Sequence, residues 1–187
     1  MKRLDHLKVA AVCRHLAGRI EKDGVPTIIV SIRTGGEEIG RLLSGMLGCE
    51  VVEMYIARPD RTGVYRKIAR VSRILAKIVY ELLFLVDRPR MREMPEIPLN
   101  ADVLLVDDAI QSGKTICLAR RWARRFSPKR IRVATITDMR WRNVSEYHRY
   151  RSLVSFPWSK NYQERKERVP SGACRFPSIR YDDRSDT

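Results

Sequence analysis

The sequence predicts an α/β protein: an open, mainly parallel sheet of about five strands with flanking helices and a small hood. Short β-branched runs alternate with segments of helical spacing, which is the order found in parallel sheets with crossover helices. Two turns that contain glycine each follow a strand candidate and open a helix candidate, and such turns lie where open parallel sheets bind ligands. The 187 residues, of which 44% are hydrophobic, suit one domain with a real core.

The first half of the chain supplies two strands and two helices. Residues 4–22 place their apolar side chains near one helical stripe, which predicts an amphipathic helix. The run TIIVSI (27–32) does not alternate, as is typical of a strand buried on both faces. After a pair of glycines, residues 37–47 resume helical spacing, with two carboxylates in the first turn, and 50–56 follow as a second strand.

The second half repeats this order. Residues 103–108 predict a strand, 113–126 a helix and 131–137 another strand. We expect a single domain over 1–187 with a core at about 26–137. Its hood is expected from residues 1–25 and 138–187.

An inserted helical segment is predicted at about 58–99, between the two halves. Within it, apolar residues recur at spacings of four and three, as in a heptad seam: Val64, Ile68, Val71, Leu75, Ile78, Leu82 and Leu85. Packing of this helix on its own domain is the favoured interpretation and a dimer seam the second. A helix on a membrane surface is a minor third, because the opposite side is basic.

Composition narrows the class of partner and compartment. A formal net charge of +15 predicts an anionic partner, and phosphate esters, nucleic acid and acidic lipid all fit. No apolar run is long enough to span a membrane, and charges interrupt the first 20 residues. The four cysteines form no C-x-x-C pair, which argues against a zinc site or disulfide framework and favours a cytoplasmic location.

The strongest chemical signal is the segment from Val103 to Thr115, VLLVDDAIQSGKT. A hydrophobic strand ends in Asp107 and Asp108, and a short loop then runs into a helix, whose backbone N–H groups can hold a phosphate. A nucleoside-triphosphate loop would need glycine where Asp108 stands. Adjacent acids can instead accept hydrogen bonds from a vicinal diol or hold Mg²⁺. Phosphate, diol and Mg²⁺ together indicate a ribose 5-phosphate.

This segment resembles the phosphoribosyl pyrophosphate (PRPP) signature of the type I phosphoribosyltransferases. The segment IIVSIRTGGEEIGRLL resembles the pyrophosphate loop of the xanthine-guanine branch, and FPWS (156–159) resembles its base-stacking motif. The resemblance covers about residues 4–160. It implies the type I fold and transfer of 5-phosphoribosyl from PRPP to a ring nitrogen of a purine-like nucleobase, with Mg²⁺ and release of pyrophosphate. The expected partners are PRPP and a nucleobase, and the expected assembly is a homodimer.

The resemblance also implies a role for individual residues. Asp107 and Asp108 would bind the ribose hydroxyls and the metal, and together with Gln111 they form the catalytic set. The 5-phosphate would be held by Ala109, Ile110, Gln111, Ser112, Gly113, Lys114 and Thr115, the pyrophosphate by Arg33, Thr34, Gly35 and Gly36, and the base by Asp138, Phe156 and Trp158. Two plainer interpretations stay open: the paired glycines as a mere tight turn, and Trp158 as a core residue.

Two positions depart from the 6-oxopurine enzymes. Gln111 stands where they have an aspartate that handles a purine proton, and glutamine cannot act as a base. Asp138 stands near the place of their O6-binding lysine, and a carboxylate prefers an amino group or ring N–H. We therefore expect an amino-bearing base rather than hypoxanthine or guanine. The alternative is a PRPP-sensing regulator of the same fold that binds nucleic acid, a partner that stays open but is not favoured.

Overall fold

The computed structural model describes residues 2–33, 35–57, 89–140, 144–152 and 154–158. The predicted heptad seam lies outside the described residues, as do Thr34 and the tail beyond Trp158. Among the described ranges, no helix is long and apolar enough to cross a bilayer.

A central five-stranded sheet organises the molecule. Its strands, in the order β4-β3-β2-β5-β6, are β2 (Ile28–Arg33), β3 (Glu50–Ala57), β4 (Arg90–Glu93), β5 (Asp102–Ile110) and β6 (Arg130–Asp138). The neighbours of β2 and β5 all run parallel, and β4 alone is antiparallel, on the edge beside β3. The predicted fold class is confirmed.

Strand β4 corrects part of the prediction for residues 58–99, since Arg90–Glu93 lie within the segment predicted to be helical. The sequence RMRE has a single apolar residue and so shows no alternating pattern. Its three charged side chains are exposed at the sheet edge. Its extended form follows from pairing with the outer edge of β3, at Tyr55, Ile56 and Ala57. Long-range hydrogen bonds of this kind leave no signal in local periodicity.

Helices cover both faces of the sheet. Helices α1 (His6–Lys22) and α2 (Gly36–Leu47) pack on one face, where Leu16, Leu43 and Leu104 belong to one apolar cluster. Helix α3 (Lys114–Ala123), continued by a 3₁₀ turn at Arg124–Phe126, packs on the other with Leu105. Burial of Cys13 in the first cluster, with a smaller contribution from Glu38, raises the pKa of its thiol to about 12.

The beginning of the chain is joined to its later part by a two-stranded parallel sheet. Strand β1 (Lys2–Arg3) pairs with β7 (Val154–Ser155), and the Leu4 N–H donates to the Ser155 carbonyl at 3.0 Å. The residues that follow β7 are therefore held close to the first turn of α1. The division into core and hood stays a prediction.

A buried ion pair joins β5 to β6 at their amino ends. The Arg132 guanidinium, 4% exposed, donates through Nη2 to Asp102 Oδ2 at 2.9 Å and through Nη1 to the Tyr147 hydroxyl at 3.2 Å. The exposed Arg130 donates to the same carboxylate at 2.8 Å. Asp102 therefore neutralises a cation that the fold has removed from water.

Candidate active site

A cavity of about 300 Å³ opens where β2, β3 and β5 end. Both predicted substrate loops contribute to its lining, which consists of Ile32, Arg33, Gly35, Tyr55, Ile56, Ala57, Asp107, Asp108 and Thr115. The parallel sheet explains this convergence, because the carboxyl ends of parallel strands lie at one edge. Arg33 and Gly35 of one loop thus face the same space as the paired acids and Thr115 of the other.

The two acids differ in their surroundings. Asp107 is buried, and its Oδ1 accepts a hydrogen bond from the Asp108 N–H at 2.9 Å. Asp108 is half-buried, and its carbonyl accepts from the Thr135 hydroxyl at 2.9 Å. These backbone and side-chain bonds fix the end of β5, so that two carboxylates are presented to one cavity.

Strand β5 extends two residues beyond the carboxyl end that the sequence predicted. Residues Ala109 and Ile110 continue it, and the Ile110 side chain is buried in the apolar cluster on the α3 side. The Ile110 carbonyl accepts from the Met139 N–H at 3.0 Å. The turn at the predicted phosphate site is consequently short and consists of Gln111, Ser112 and Gly113.

This short turn has the conformation expected of an anion-binding loop. Gly113 has φ +74°, a left-handed conformation that side chains rarely adopt, and α3 begins at Lys114. Gln111 is exposed, and the Ser112 carbonyl accepts from the Arg140 guanidinium. Thr115 is 5% exposed and lines the cavity. The N–H groups of the first turn of α3 and the Thr115 hydroxyl are thus close to the two acids.

The predicted pyrophosphate loop depends on glycine for space. A Cβ at Gly35 would overlap the Asp108 carboxylate, and one at Gly36 would lie 2.5 Å from the Val106 carbonyl oxygen. The two loops are therefore in direct contact. The interpretation of these glycines as a mere turn does not account for this approach.

Arg33, predicted to bind pyrophosphate, is surrounded by carboxylates. Its guanidinium lies 3.3 Å from Glu93, 3.5 Å from Glu53 and 3.9 Å from Glu37. Arg41 also pairs with Glu37 and Glu53. These exposed ion pairs hold the Arg33 side chain beside the cavity, and an incoming anion competes with three carboxylates for it.

The predicted base-binding residues fall into two groups. Asp138 is 1% exposed, and its carboxylate accepts from the backbone N–H groups of Arg140 at 3.1 Å, Val144 at 2.8 Å and Ser145 at 2.9 Å. It does not line the described cavity. A contact between Asp138 and the base stays a prediction, and this geometry counts against it, because a base would compete with three N–H donors.

Phe156 and Trp158 lie beside the two acids. Their rings stack with centroids 5.0 Å apart and an angle of 8° between planes. The Trp158 indole N–H donates to Asp108 Oδ2 at 3.1 Å. Trp158 is thus half-buried on Phe156 with its polar edge on a predicted ribose-binding carboxylate, and its contact with a base stays a prediction.

Sequence reasoning missed the third wall of the cavity. Tyr55, Ile56 and Ala57 line it from the end of β3, and none of them was predicted as a site residue. The signal was present, since 50–56 was a strand candidate and the carboxyl end of every parallel strand faces the same edge.

Comparison with known proteins identifies the family of the chain. A family model described as the phosphoribosyl transferase domain matches residues 3–165. The chain belongs to this family. It is a phosphoribosyltransferase of the type I fold, and its activity is PRPP-dependent transfer of a phosphoribosyl group to a base. No curated protein matches the chain.

Three solved structures illustrate the similarity of this phosphoribosyltransferase to others in fold. A purine phosphoribosyltransferase from Pyrococcus horikoshii is 18% identical, with a TM-score of 0.65 over 95% of this chain and 97% of that one. A xanthine-guanine-hypoxanthine phosphoribosyltransferase from Helicobacter pylori is 14% identical, with a TM-score of 0.64 over 89% and 98%. A hypothetical protein from Neisseria gonorrhoeae with bound ppGpp is 15% identical, with a TM-score of 0.62 over 89% and 94%.

The two acids fit the Mg²⁺ that the family generally uses with PRPP. Mg²⁺ commonly takes one or two carboxylates and completes its shell with substrate phosphates and water. Asp107 and Asp108 supply carboxylates at the cavity. Within the described part of the chain there is no group of three or more His, Cys, Asp or Glu side chains that could hold a metal ion.

Proposed function

We propose that this phosphoribosyltransferase transfers 5-phosphoribosyl from PRPP to a ring nitrogen of a purine-like base and releases pyrophosphate. The observation that carries the proposal is the shared cavity: Arg33 and Gly35 line it together with Asp107, Asp108 and Thr115. PRPP has a pyrophosphate at one end of its ribose and a 5-phosphate at the other. A cavity with an anion-binding loop on either side of two acids suits such a molecule.

Each part of the cavity has a task in this proposal. The first turn of α3 and Thr115 bind the 5-phosphate, Asp107 and Asp108 accept hydrogen bonds from the ribose hydroxyls, and the loop at Gly35 binds the pyrophosphate. Mg²⁺ held by the two acids and the substrate phosphates would supply positive charge near the leaving group. The reaction then needs no covalent nucleophile, because positioning and electrostatics stabilise the oxocarbenium character of the sugar.

For the base, the proposal is an amino-bearing purine in preference to hypoxanthine or guanine. The support is Gln111, which is exposed in the turn between β5 and α3 and cannot relay a proton. The purine enzymes from Pyrococcus horikoshii and Helicobacter pylori have the same fold and support the purine class. Because the Asp138 carboxylate is already bonded to backbone N–H groups, Gln111 remains as the argument against a 6-oxopurine.

The direct test is incubation with PRPP, Mg²⁺ and a panel of purines and pyrimidines, with pyrophosphate release as the readout. We expect release with at least one purine. The double substitution Asp108→Asn with Thr115→Ala is expected to weaken PRPP binding at least tenfold in calorimetry, which is about 1.4 kcal/mol. Glu96→Gln, at an exposed position outside the cavity, is the control. Unchanged PRPP affinity in the double variant would place the site elsewhere.

A regulator that binds nucleic acid is the second candidate. Its support is the net charge of +15 and the exposed Arg121, Arg124 and Arg125 on the outer side of α3 and the 3₁₀ turn. Titration with structured RNA at two salt concentrations distinguishes the two functions. A regulator is expected to bind selectively and to respond to PRPP, whereas a basic enzyme binds weakly, loses affinity steeply with salt and ignores PRPP.

A further inference from the structure

A second cavity, a shallow groove of about 330 Å³ that is largely open to solvent, lies between α1 and residues 149–150. Its rim carries Lys2, Lys8, His15 and Arg149. Its lining has no residue in common with the candidate active site. The function proposed above therefore leaves this cavity without a role.

The rim of the second cavity is basic and contains no acid. Lys8 pairs with Asp5 at 3.0 Å, but Asp5 does not line the cavity. Within the described ranges, neither Lys2 nor Arg149 forms an ion pair with a carboxylate; the Lys2 ammonium instead lies 4.4 Å from the centre of the Tyr150 ring. Exposed ammonium and guanidinium groups that converge on one concave space favour an anion, and phosphate groups suit guanidinium in particular.

The floor of the cavity is apolar. Ala11, the buried Val12 and the Tyr150 ring supply carbon surface beneath the basic rim. A free inorganic anion would gain nothing from this floor, whereas a nucleoside joined to a phosphate would cover it. A volume of about 330 Å³ is also at the lower end of those that hold small molecules, about 300–1,000 Å³.

Both walls are held by the fold. On one side, Val12 and Leu16 anchor α1 in the apolar cluster over the sheet. On the other, the Arg149 and Tyr150 N–H groups donate to the Ile136 carbonyl at 3.2 and 2.9 Å. The basic groups thus project from segments that the fold holds in place: Lys8 and His15 from α1, Lys2 from β1, and Arg149 from residues 149–150. Holding them in place lowers the ordering cost of binding.

We infer that this cavity is a second ligand site, which binds the phosphate of a nucleotide on its basic rim and the nucleoside on its apolar floor. The inference goes beyond the proposed function and does not depend on it. It adds a nucleotide site outside the reaction centre.

The test is nuclear magnetic resonance of the full-length ¹⁵N-labelled chain during titration with ADP. Saturable amide shifts are expected at residues 8–15 and 149–150, separate from any at 107–115. Arg149→Glu is expected to weaken the ADP affinity measured from the shifts at 8–15 and 149–150 at least tenfold. Arg151→Glu is the matched control, since it makes the same charge change at an exposed position two residues away that does not line the cavity.

Two further probes separate the parts of the ligand. Adenosine, which lacks phosphate, and inorganic phosphate, which lacks the nucleoside, are both expected to bind at least tenfold more weakly than ADP. The inference is overturned by ADP shifts confined to 107–115, by equal effects of the two arginine substitutions, or by adenosine or phosphate equalling ADP. Lys2→Gln is a second test, expected to weaken binding, should Arg149→Glu fail to give a folded spectrum.

Discussion

Replacement of Gly35 by alanine tests the contact between the two substrate loops. Gly35 has φ −97° and ψ −32°, a conformation that alanine adopts without strain. Only space forbids the change, because the new methyl group would overlap the Asp108 carboxylate. We therefore expect Gly35→Ala to displace Asp108 while the backbone of the loop is retained.

The magnitude follows from the bond that Asp108 makes in this position. Its Oδ2 accepts from the Trp158 indole at 3.1 Å, and hydrogen bonds to charged groups contribute about 1.5–3 kcal/mol. A ribose hydroxyl that binds the same carboxylate would lose a bond of this kind. PRPP affinity is then expected to fall by about ten- to a hundredfold, at about 1.4 kcal/mol per factor of ten.

Calorimetric titration with PRPP and Mg²⁺ measures this loss, and circular dichroism establishes that the variant is folded. Gly45→Ala is the matched control, since Gly45 lies in α2, the helix that Gly35 caps, with nothing within 4 Å of the added Cβ. It should leave PRPP affinity unchanged and stabilise the helix by up to about 1 kcal/mol.

A double-mutant cycle tests whether Gly35→Ala weakens PRPP binding through Asp108. If alanine acts through Asp108, Gly35→Ala adds little to the loss already caused by Asp108→Asn. A folded Gly35→Ala variant whose PRPP affinity stays within twofold of the parent refutes the reasoning, and so do fully additive effects in the cycle.

Three other predictions concern stability, titration and specificity. Asp102→Asn leaves the buried Arg132 guanidinium without its carboxylate and should lower the free energy of unfolding in urea by about 3 kcal/mol. Substitution of the exposed Arg130 by Gln should lower it by less than about 1 kcal/mol. Equal losses would contradict the interpretation of Asp102 and Arg132 as a buried ion pair. Because burial raises the pKa of the Cys13 thiol from 9.0 to about 12, the unfolded chain loses this proton first. Stability of the parent should therefore fall more steeply between pH 9 and 12 than that of Cys13→Ala, and parallel curves would contradict this. Gln111→Asp should raise turnover with hypoxanthine or guanine, and a parent that already converts either base at about 1 s⁻¹ or faster contradicts the specificity proposed from this residue.

The elements that the sequence predicted well are those whose pattern is local. The strands at 27–32, 103–108 and 131–137 are observed as β2, β5 and β6, each shifted by at most two residues. Most of their residues are apolar and do not alternate strictly with charged ones, which favours strands inside the sheet. The glycine turns were also visible, because the close approach of backbone at Gly35 and the left-handed Gly113 require that residue.

What the sequence could not predict depends on long-range contacts. The edge strand β4 exists through pairing with β3, and the Trp158 indole reaches Asp108 across 50 positions of the chain. The sequence predicted that the Asp138 carboxylate, just beyond the strand at 131–137, would contact a base, but it accepts hydrogen bonds from three backbone N–H groups later in the chain. In each case the partner was set by the fold and not by neighbouring residues.

The pairing of β1 with β7 has a consequence for the order of folding. Lys2 and Val154 are adjacent in this sheet although they come from opposite ends of the described chain. Closing so long a loop is entropically unfavourable until the intervening sheet has formed. During refolding from denaturant, the far-ultraviolet helical signal should thus return first, and enzymatic turnover only later, when β7 has docked and carried Trp158 to Asp108.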